Sequence, residues 1–349
     1  MNPRRFLLLG AGFWAGYQLA AWGETPGAVC VGVCDRDPER ARRLAGRIGA
    51  PAFTIPEAAL AETRPDFVDI VTSPETHVEL IALCAAQNIP ILCQKPLAPT
   101  LAEAEQVVAL CERASVPLLV HENWRWQAPL RHAGLLLQSG AIGRPFRARL
   151  MFSSSFPVFD NQPFLRTLDR FILSDVGPHL LDTGRYLFGE ATSLYAQTHR
   201  INPTIRGEDV ATTVTVMGEA RITVTCEMSY ASRTAHERFP QTYLFVEGET
   251  GSLEIAPDYL VTVTNADGSL TRRIPPPRYA WANPAYDVVQ ASMVPCQADL
   301  LAHLISEKTA ETTAADNLRT LRLVEAAYES AAGNRVIALP GAAFAAPEE

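Results

Sequence analysis

The chain has 349 residues, 48% of them hydrophobic and 19% charged, which is the balance of a well-cored globular protein long enough for two domains. Its 30 Lys and Arg against 38 Asp and Glu leave a net charge of −8 with no basic stripe, which argues against a nucleic-acid partner. Seven cysteines, an odd number without metal-like pairs, argue against a disulfide framework; reduced thiols in a cytoplasmic protein are the expectation.

The first apolar run, Phe6-Leu7-Leu8-Leu9, leads into Gly10-Ala11-Gly12-Phe13-Trp14-Ala15-Gly16. This is G-x-G-x-x-A between a buried strand and a helix predicted over 14–22. Twenty-three residues after Gly12, Asp35 closes a second apolar run over 28–34. The combination is the fingerprint of a dinucleotide-binding βαβ unit. Gly10 permits the tight turn, Gly12 leaves room for a pyrophosphate, and Ala15 keeps helix and strand close. The helix N-terminus offers N–H groups and a positive dipole end to phosphates. Gly10, Ala11, Gly12, Phe13 and Trp14 are therefore candidate cofactor contacts. Asp35 suits the ribose 2′-OH of NAD and would repel the 2′-phosphate of NADP, whereas its neighbour Arg36 could accommodate that phosphate. Arg4-Arg5 before the apolar run also resembles an export signal, but the same residues are fully accounted for as strand and phosphate turn. No later apolar run reaches membrane-span length, so no membrane segment is expected.

Strands and helices alternate to about residue 122. Asp37 and Pro38 open a helix, as N-cap and first helical residue, that runs to about 48. A buried strand is predicted over 67–72, a helix over 76–87 and a strand over 90–93. Thr100 and Glu103 form a capping box for a helix ending near 114, and 118–121 is the last strand of this half. The pattern then changes. A helix is predicted over 129–139, a strand over 147–152 and a second helix over 175–188. From 193 to 274 the chain alternates polar with β-branched or aromatic residues, and Asn265-Ala266-Asp267-Gly268 reads as a hairpin turn. Two helices, near 296–306 and 313–332, an edge strand over 336–339 and a frayed tail from 342 complete the chain. The expected fold class is α/β: an N-terminal Rossmann domain over 1–122, followed by an α+β domain over 123–349 with a large, mainly antiparallel open sheet.

Ligands of doubly wound sheets bind beyond the carboxyl ends of the strands. Thr72, Ser73 and His77 follow one strand, Gln94 and Lys95 the next, and His121, Asn123, Trp124 and Arg125 the last. Lys95, pinned by Pro96, could hydrogen-bond a substrate hydroxyl or carry a proton. Trp124 and Trp126 could offer flat faces to sugar C–H groups, and Arg125, Asn161 and Gln162 could bind hydroxyls; equally, tryptophans commonly belong to a core. In the second half, Asp175, His179 and Asp182 share one helical face by i, i+4 and i+7 spacing. Oxidation of an alcohol requires removal of the O–H proton, which a histidine suits, with Asp175 one turn away to orient it or bind another hydroxyl. Further ligands at motif spacing are lacking, so no metal site is expected.

The glycine turn, Gln94-Lys95-Pro96 and Asp175-x-Gly177-x-His179 together resemble the glucose-fructose oxidoreductase / inositol dehydrogenase / MocA (Gfo/Idh/MocA) family over roughly residues 4–340. The resemblance implies a catalytic lysine in a Glu-Lys-Pro motif, an Asp-x-x-x-His pair completing the site, NAD as cofactor, a sugar as substrate, and a homodimer or homotetramer built through the second sheet. Carried over, the catalytic residues are Lys95, Asp175 and His179. Gln94 departs from the common glutamate and removes a carboxylate beside the lysine. The runs 93–96, 121–127 and 156–164 narrow the resemblance to a branch that oxidises a branched pentose to its lactone with NAD. Oxidation of inositol or another polyol to a ketone is the nearest rival activity, and a catalytically silent dinucleotide sensor the rival of another class.

Overall fold

The computed structural model describes residues 2–339 apart from 236–238 and 307, and of Asn161 the backbone alone. The tail expected to fray from 342 lies outside the described residues. In chain order the elements are β1 (Arg4–Leu9), α1 (Phe13–Gly23), β2 (Ala28–Cys34), α2 (Pro38–Gly46), β3 (Ala52–Phe53), α3 (Pro56–Thr63), β4 (Phe67–Ile70), α4 (His77–Ala85), β5 (Ile91–Gln94), α5 (Leu101–Ala114) and β6 (Leu118–His121). There follow α6 (Ala128–Gln138), β7 (Pro145–Ser153), α7 (Val158–Asn161), α8 (Ile172–Asp175), α9 (Gly177–Phe188), β8 (Ala191–His199), β9 (Val210–Met217), β10 (Ile222–Ser229), β11 (Tyr243–Gly248), β12 (Gly251–Ala256), β13 (Leu260–Asn265) and β14 (Gly268–Arg273). The chain ends with α10 (Asp287–Ile305), α11 (Ala314–Gly333) and β15 (Ile337–Ala338).

The first six strands form a parallel sheet in the order β3-β2-β1-β4-β5-β6. The order reverses between β1 and β4, which is the switch point where a doubly wound sheet opens a crevice. The strands are mostly apolar because helices cover both faces: Leu7, Leu8, Val68, Ile70, Ile91, Leu92 and Val120 are buried, with Asp69 on β4 and Gln94 on β5 as buried polar exceptions. Phe6, Trp22 and Phe67 interlock between β1, α1 and β4 at ring distances of 5.1–5.6 Å. The helix starts follow the sequence signals. Asp37 accepts the Glu39 and Arg40 N–H groups, and Thr100 and Glu103 close their capping box.

Two compact units emerge, Met1–Trp126 with Arg278–Arg319 and Gln127–Pro277 with Thr320–Glu349. This corrects the boundary expected at 122/123, which gave 278–319 to the second half. The cause is hydrophobic packing of α10. Its Cys296, Leu300 and Leu301 share one buried cluster with Leu19 and Trp22 of α1, and Gln297 Nε2 donates to the Gln18 carbonyl at 3.0 Å. The helix is longer than the predicted 296–306. It is the one helix among the described residues long and apolar enough to cross a membrane, against the expectation that no run would be, and most of it is buried.

The second unit is built on a nine-stranded sheet ordered β14-β13-β12-β11-β7-β10-β9-β8-β15. All neighbours are antiparallel except β7 and β10. Asn265 pairs with Gly268 across the expected hairpin turn, and β15 is the expected edge strand. Helices α6 and α9 pack on the sheet. Along β9 burial alternates in register with the pleat, Ala211, Thr213, Thr215 and Met217 facing inward.

His121, at the end of β6, is fully buried with no hydrogen-bond partner on either ring nitrogen. Burial pushes its pKa down to about 4, below the ordinary value near 6.5 in the unfolded chain. The unfolded state then binds more protons between those values, so this group removes stability as pH falls from about 6.5 toward 4. Its share of the loss between pH 7.5 and pH 5 is about 2 kcal/mol. His121→Leu is expected to flatten the fall in urea-unfolding stability over that interval. An equal fall in wild type and variant would show that the buried imidazole is not responsible.

Candidate active site

The glycine turn is built where β1 meets β4. Gly10 has φ +106°, and a Cβ there would lie 2.3 Å from the Val71 carbonyl oxygen, so no side chain fits. Its N–H donates to the Cys34 carbonyl at 2.7 Å, tying the turn to the end of β2. Gly12 is the N-cap of α1 and makes no side-chain cap bond. A Cβ on Gly12 would meet nothing within 4 Å, so the space above the turn is open. The Asp35 carboxylate accepts the Ala11 N–H at 2.7 Å and the Asp37 N–H at 2.9 Å, one on each oxygen. Each oxygen keeps a further lone pair for a ribose hydroxyl. Phe13 is exposed, Trp14 half-buried, and Arg36 exposed beside Asp35. An uncapped helix N-terminus, open space at Gly12 and a carboxylate at the end of β2 fit a dinucleotide.

The later strand ends divide into exposed and committed groups. Ser73 is exposed and Thr72 half-buried, its hydroxyl accepting from Thr76 at 2.8 Å. His77 is different from its expected role as a ligand contact. Its ring is buried, with Nδ1 3.0 Å from the Pro96 carbonyl and Nε2 3.2 Å from the Thr72 carbonyl. Burial lowers its pKa, so the ring is neutral and its single N–H donates to one of these two carbonyls, with the ring packed between the ends of β4 and β5. Lys95 is half-buried and precedes a cis peptide to Pro96. Gln94 is buried; its Oε1 accepts the Lys95 N–H at 3.2 Å and its Nε2 donates to Gln18 Oε1 at 2.5 Å.

Asn123, Trp124 and Arg125 need correction as substrate contacts. All three are buried. The Asn123 amide donates to the Val289 carbonyl at 3.0 Å and Ser292 Oγ at 2.8 Å. Arg125 donates to the Glu311 carbonyl at 3.2 Å and pairs with Asp316 at 3.3 Å. Trp126 is buried as well, in the same cluster as α10. These residues fasten the return segment 278–319 to the first unit, a task set by partners more than 160 positions away.

In the second unit the helix expected over 175–188 is broken. Asp175 is the last residue of α8, Val176 intervenes, and α9 begins at Gly177. Pro178 explains the break, because it has no N–H for the Ser174 carbonyl and its ring crowds that oxygen. Asp175, His179 and Asp182 therefore do not line one regular helical face. Asp182 is fully buried, accepts from Thr320 Oγ1 at 3.2 Å and faces Arg185 at 3.8 Å, which makes it structural. A Cβ on Gly177 would make only ordinary protein contacts, from 3.6 Å.

Asp175 is half-buried and held by its surroundings. Tyr230, which follows β10 and is not among the residues the sequence singles out, donates its hydroxyl to Asp175 Oδ2 at 3.4 Å. Its ring stacks on Phe171 at 5.5 Å and meets Phe152 edge-on at 5.2 Å. Glu208 accepts the Phe171 and Leu173 N–H groups, both at 3.1 Å, and the Tyr328 hydroxyl at 2.6 Å. The one-turn helix that presents Asp175 is thus capped by a carboxylate distant in sequence. Asn161, also expected to touch substrate, ends α7, and its side chain lies outside the described residues.

Residues 4–122 match the Gfo/Idh/MocA oxidoreductase family with an NAD-binding Rossmann fold, and residues 130–254 match its C-terminal domain. The chain is 44% identical over 341 residues to a D-apiose dehydrogenase of Paraburkholderia graminis, spanning 97% of this chain and 91% of that protein. It is 40% identical over 338 residues to a D-apiose dehydrogenase of Rhizobium rhizogenes, spanning 97% and 98%. An oxidoreductase from Agrobacterium radiobacter, solved in complex with NAD+, L-tartaric acid and magnesium, matches with a TM-score of 0.94 at 38% identity over 97% of this chain and 98% of that one. The chain belongs to the Gfo/Idh/MocA family and is an NAD-dependent oxidoreductase.

The two turn glycines separate folding from binding. Gly10→Ala, with no space and a positive φ, is expected to lower the melting temperature by about 10 °C or more. Gly12→Ala is expected to change it by no more than about 2 °C while weakening NADH binding at least about tenfold. Thermal melts and fluorescence titration with NADH check both. Undiminished NADH affinity in Gly12→Ala would remove the open space at the turn from the cofactor site.

Proposed function

We propose that this chain is a D-apiose dehydrogenase, oxidising D-apiose to D-apionolactone with NAD. The observation that carries this reading is similarity along the whole chain to two proteins of that activity, at 44% and 40% identity. NAD, when bound, supplies the hydride acceptor. Gly10 to Trp14, Asp35, Arg36, Thr72, Ser73 and the Gln94–Lys95 strand end are the residues we assign to hold it. The chain's own chemistry is then the O–H proton. His179 or Lys95 takes it, and Asp175, oriented by Tyr230 and by the Glu208 cap on its helix, tunes the pair or binds a second hydroxyl.

An NADH-formation screen over pentoses, branched pentoses, hexoses and inositols, with NADP beside NAD, is expected to give the highest kcat/KM for D-apiose with NAD. Lys95→Ala and His179→Ala should each lower kcat by at least about a hundredfold and leave NADH affinity largely intact. Unchanged turnover in both variants would sink the assignment, and a higher kcat/KM for inositol would replace the substrate.

We further propose a cytoplasmic homodimer or homotetramer assembled through the second sheet. Val214, Thr225, Arg149, Phe245 and Glu254 stand in one row across β9, β10, β7, β11 and β12, with Val214 and Phe245 exposed. Such a row supports a self-complementary face. Light scattering should report a multiple of the 38.1 kDa chain mass; a monomer at working concentration would remove this proposal.

A further inference from the structure

Asp69, on β4, is a fully buried carboxylate that the chemistry above does not use. Burial pushes its pKa up to about 6, against the hydrogen bonds that lower it, so at neutral pH it is ionised and can only accept. Trp22 Nε1 donates to Oδ2 at 2.7 Å. Gln18 Nε2 donates to Oδ1 at 2.7 Å and to Oδ2 at 2.9 Å. That fixes the Gln18 amide, because its NH₂ must face Asp69 and its Oε1 must face away. Oε1 can then only accept, and Gln94 Nε2 donates to it at 2.5 Å. The Gln94 amide is fixed in turn, and its Oε1 receives the Lys95 N–H at 3.2 Å. Every donor in the chain Lys95–Gln94–Gln18–Asp69 points toward the carboxylate.

We infer that Asp69 is a positioning residue for Lys95, acting through Gln18 and Gln94, and that the carboxylate at 69 and the amide at 94 are a matched pair. The inference rests on the role proposed above for Lys95. A glutamate at 94 would turn an acceptor toward the Gln18 acceptor and place a second carboxylate one amide away from the first. The same polarity is restored if the charge is moved. An asparagine at 69 donates through Nδ2 to a reversed Gln18 amide, keeps Oδ1 for Trp22, and lets Gln18 donate to a glutamate at 94. In this chain the negative charge therefore sits at the far end of a buried amide chain instead of beside the lysine. Gln18 lies on α1, the helix that opens at the phosphate turn, so the network also ties that helix to the strand carrying Lys95.

The test is a double-mutant cycle of Asp69→Asn, Gln94→Glu and both together, read by kcat and KM for D-apiose, NADH affinity and thermal melting. Gln94→Glu is expected to lower kcat at least about tenfold, Asp69→Asn alone only a few-fold, and the double variant to recover to the level of Asp69→Asn. The loss should fall on kcat more than on KM, as expected for a displaced lysine rather than a weakened site. If Gln94→Glu does not fold, the double variant decides: recovery of folding and turnover upholds the pairing, and failure overturns it. A Gln94→Glu enzyme with wild-type kcat, or a double variant no better than Gln94→Glu, overturns it as well. Should wild type oxidise no sugar, the reading of function fails instead, while NADH affinity and melting across the cycle still test the matched pair.

Discussion

The end of β1 runs so close to the end of β4 that no side chain fits between them. A Cβ on Gly10 would sit 2.3 Å from the Val71 carbonyl oxygen. Because Gly10 fits there, the chain turns directly into α1 and leaves the helix N-terminus uncapped above the switch point. The same contact places Gln18, in the second turn of α1, within reach of Asp69 on β4 and Gln94 on β5. One backbone approach therefore sets both the dinucleotide turn and the buried amide chain behind Lys95. It also explains why Asp35 reaches Ala11: with Gly10 N–H held by the Cys34 carbonyl, the end of β2 is drawn against the turn.

The parts legible in the sequence were those with a local cause. The G-x-G-x-x-A turn, the Asp37 and Thr100 caps and the Asn265–Gly268 hairpin are dictated by residues within a few positions, and each forms as expected. What was hidden depends on distant partners. Nothing near Arg125 announces Glu311 and Asp316, so a buried ion-paired arginine read as a hydroxyl binder. The segment 278–319 returns to the first unit because α10 has an apolar surface that α1 can bury, which spacing alone does not reveal. Pro178 was visible as a residue, but the periodicity of Asp175, His179 and Asp182 outweighed it; the proline won, because a missing N–H cannot be compensated by spacing.

The break at Val176 has a mechanical consequence. A continuous helix would present Asp175 and His179 one turn apart on a surface set by α9 alone. Divided, the two residues have separate supports. His179 is carried by α9 on the sheet, whereas Asp175 is carried by a single turn whose N–H groups are bound by Glu208 and whose last residue is met by Tyr230. A four-residue helix has no cooperativity of its own, so the direction of Asp175 is set by those side chains. Tyr328, itself bonded to Glu208 and 3.1 Å from Ser174, closes the brace.

Both units thus follow one rule: the backbone or side chain of a residue proposed for the site is held by buried polar groups that sequence proximity does not supply. Hydrogen-bond direction makes such networks specific. An ionised carboxylate has only lone pairs, so each amide chained to it is left with one orientation, and reversing any link leaves a buried acceptor facing an acceptor. In the first unit this constraint runs from Asp69 to the Lys95 backbone; in the second it runs from Glu208 to the turn that ends at Asp175. A residue such as Gln94 cannot be judged against the glutamate of the resembling motif by its own chemistry alone, because its polarity is decided at Asp69, 25 positions earlier and two hydrogen bonds away.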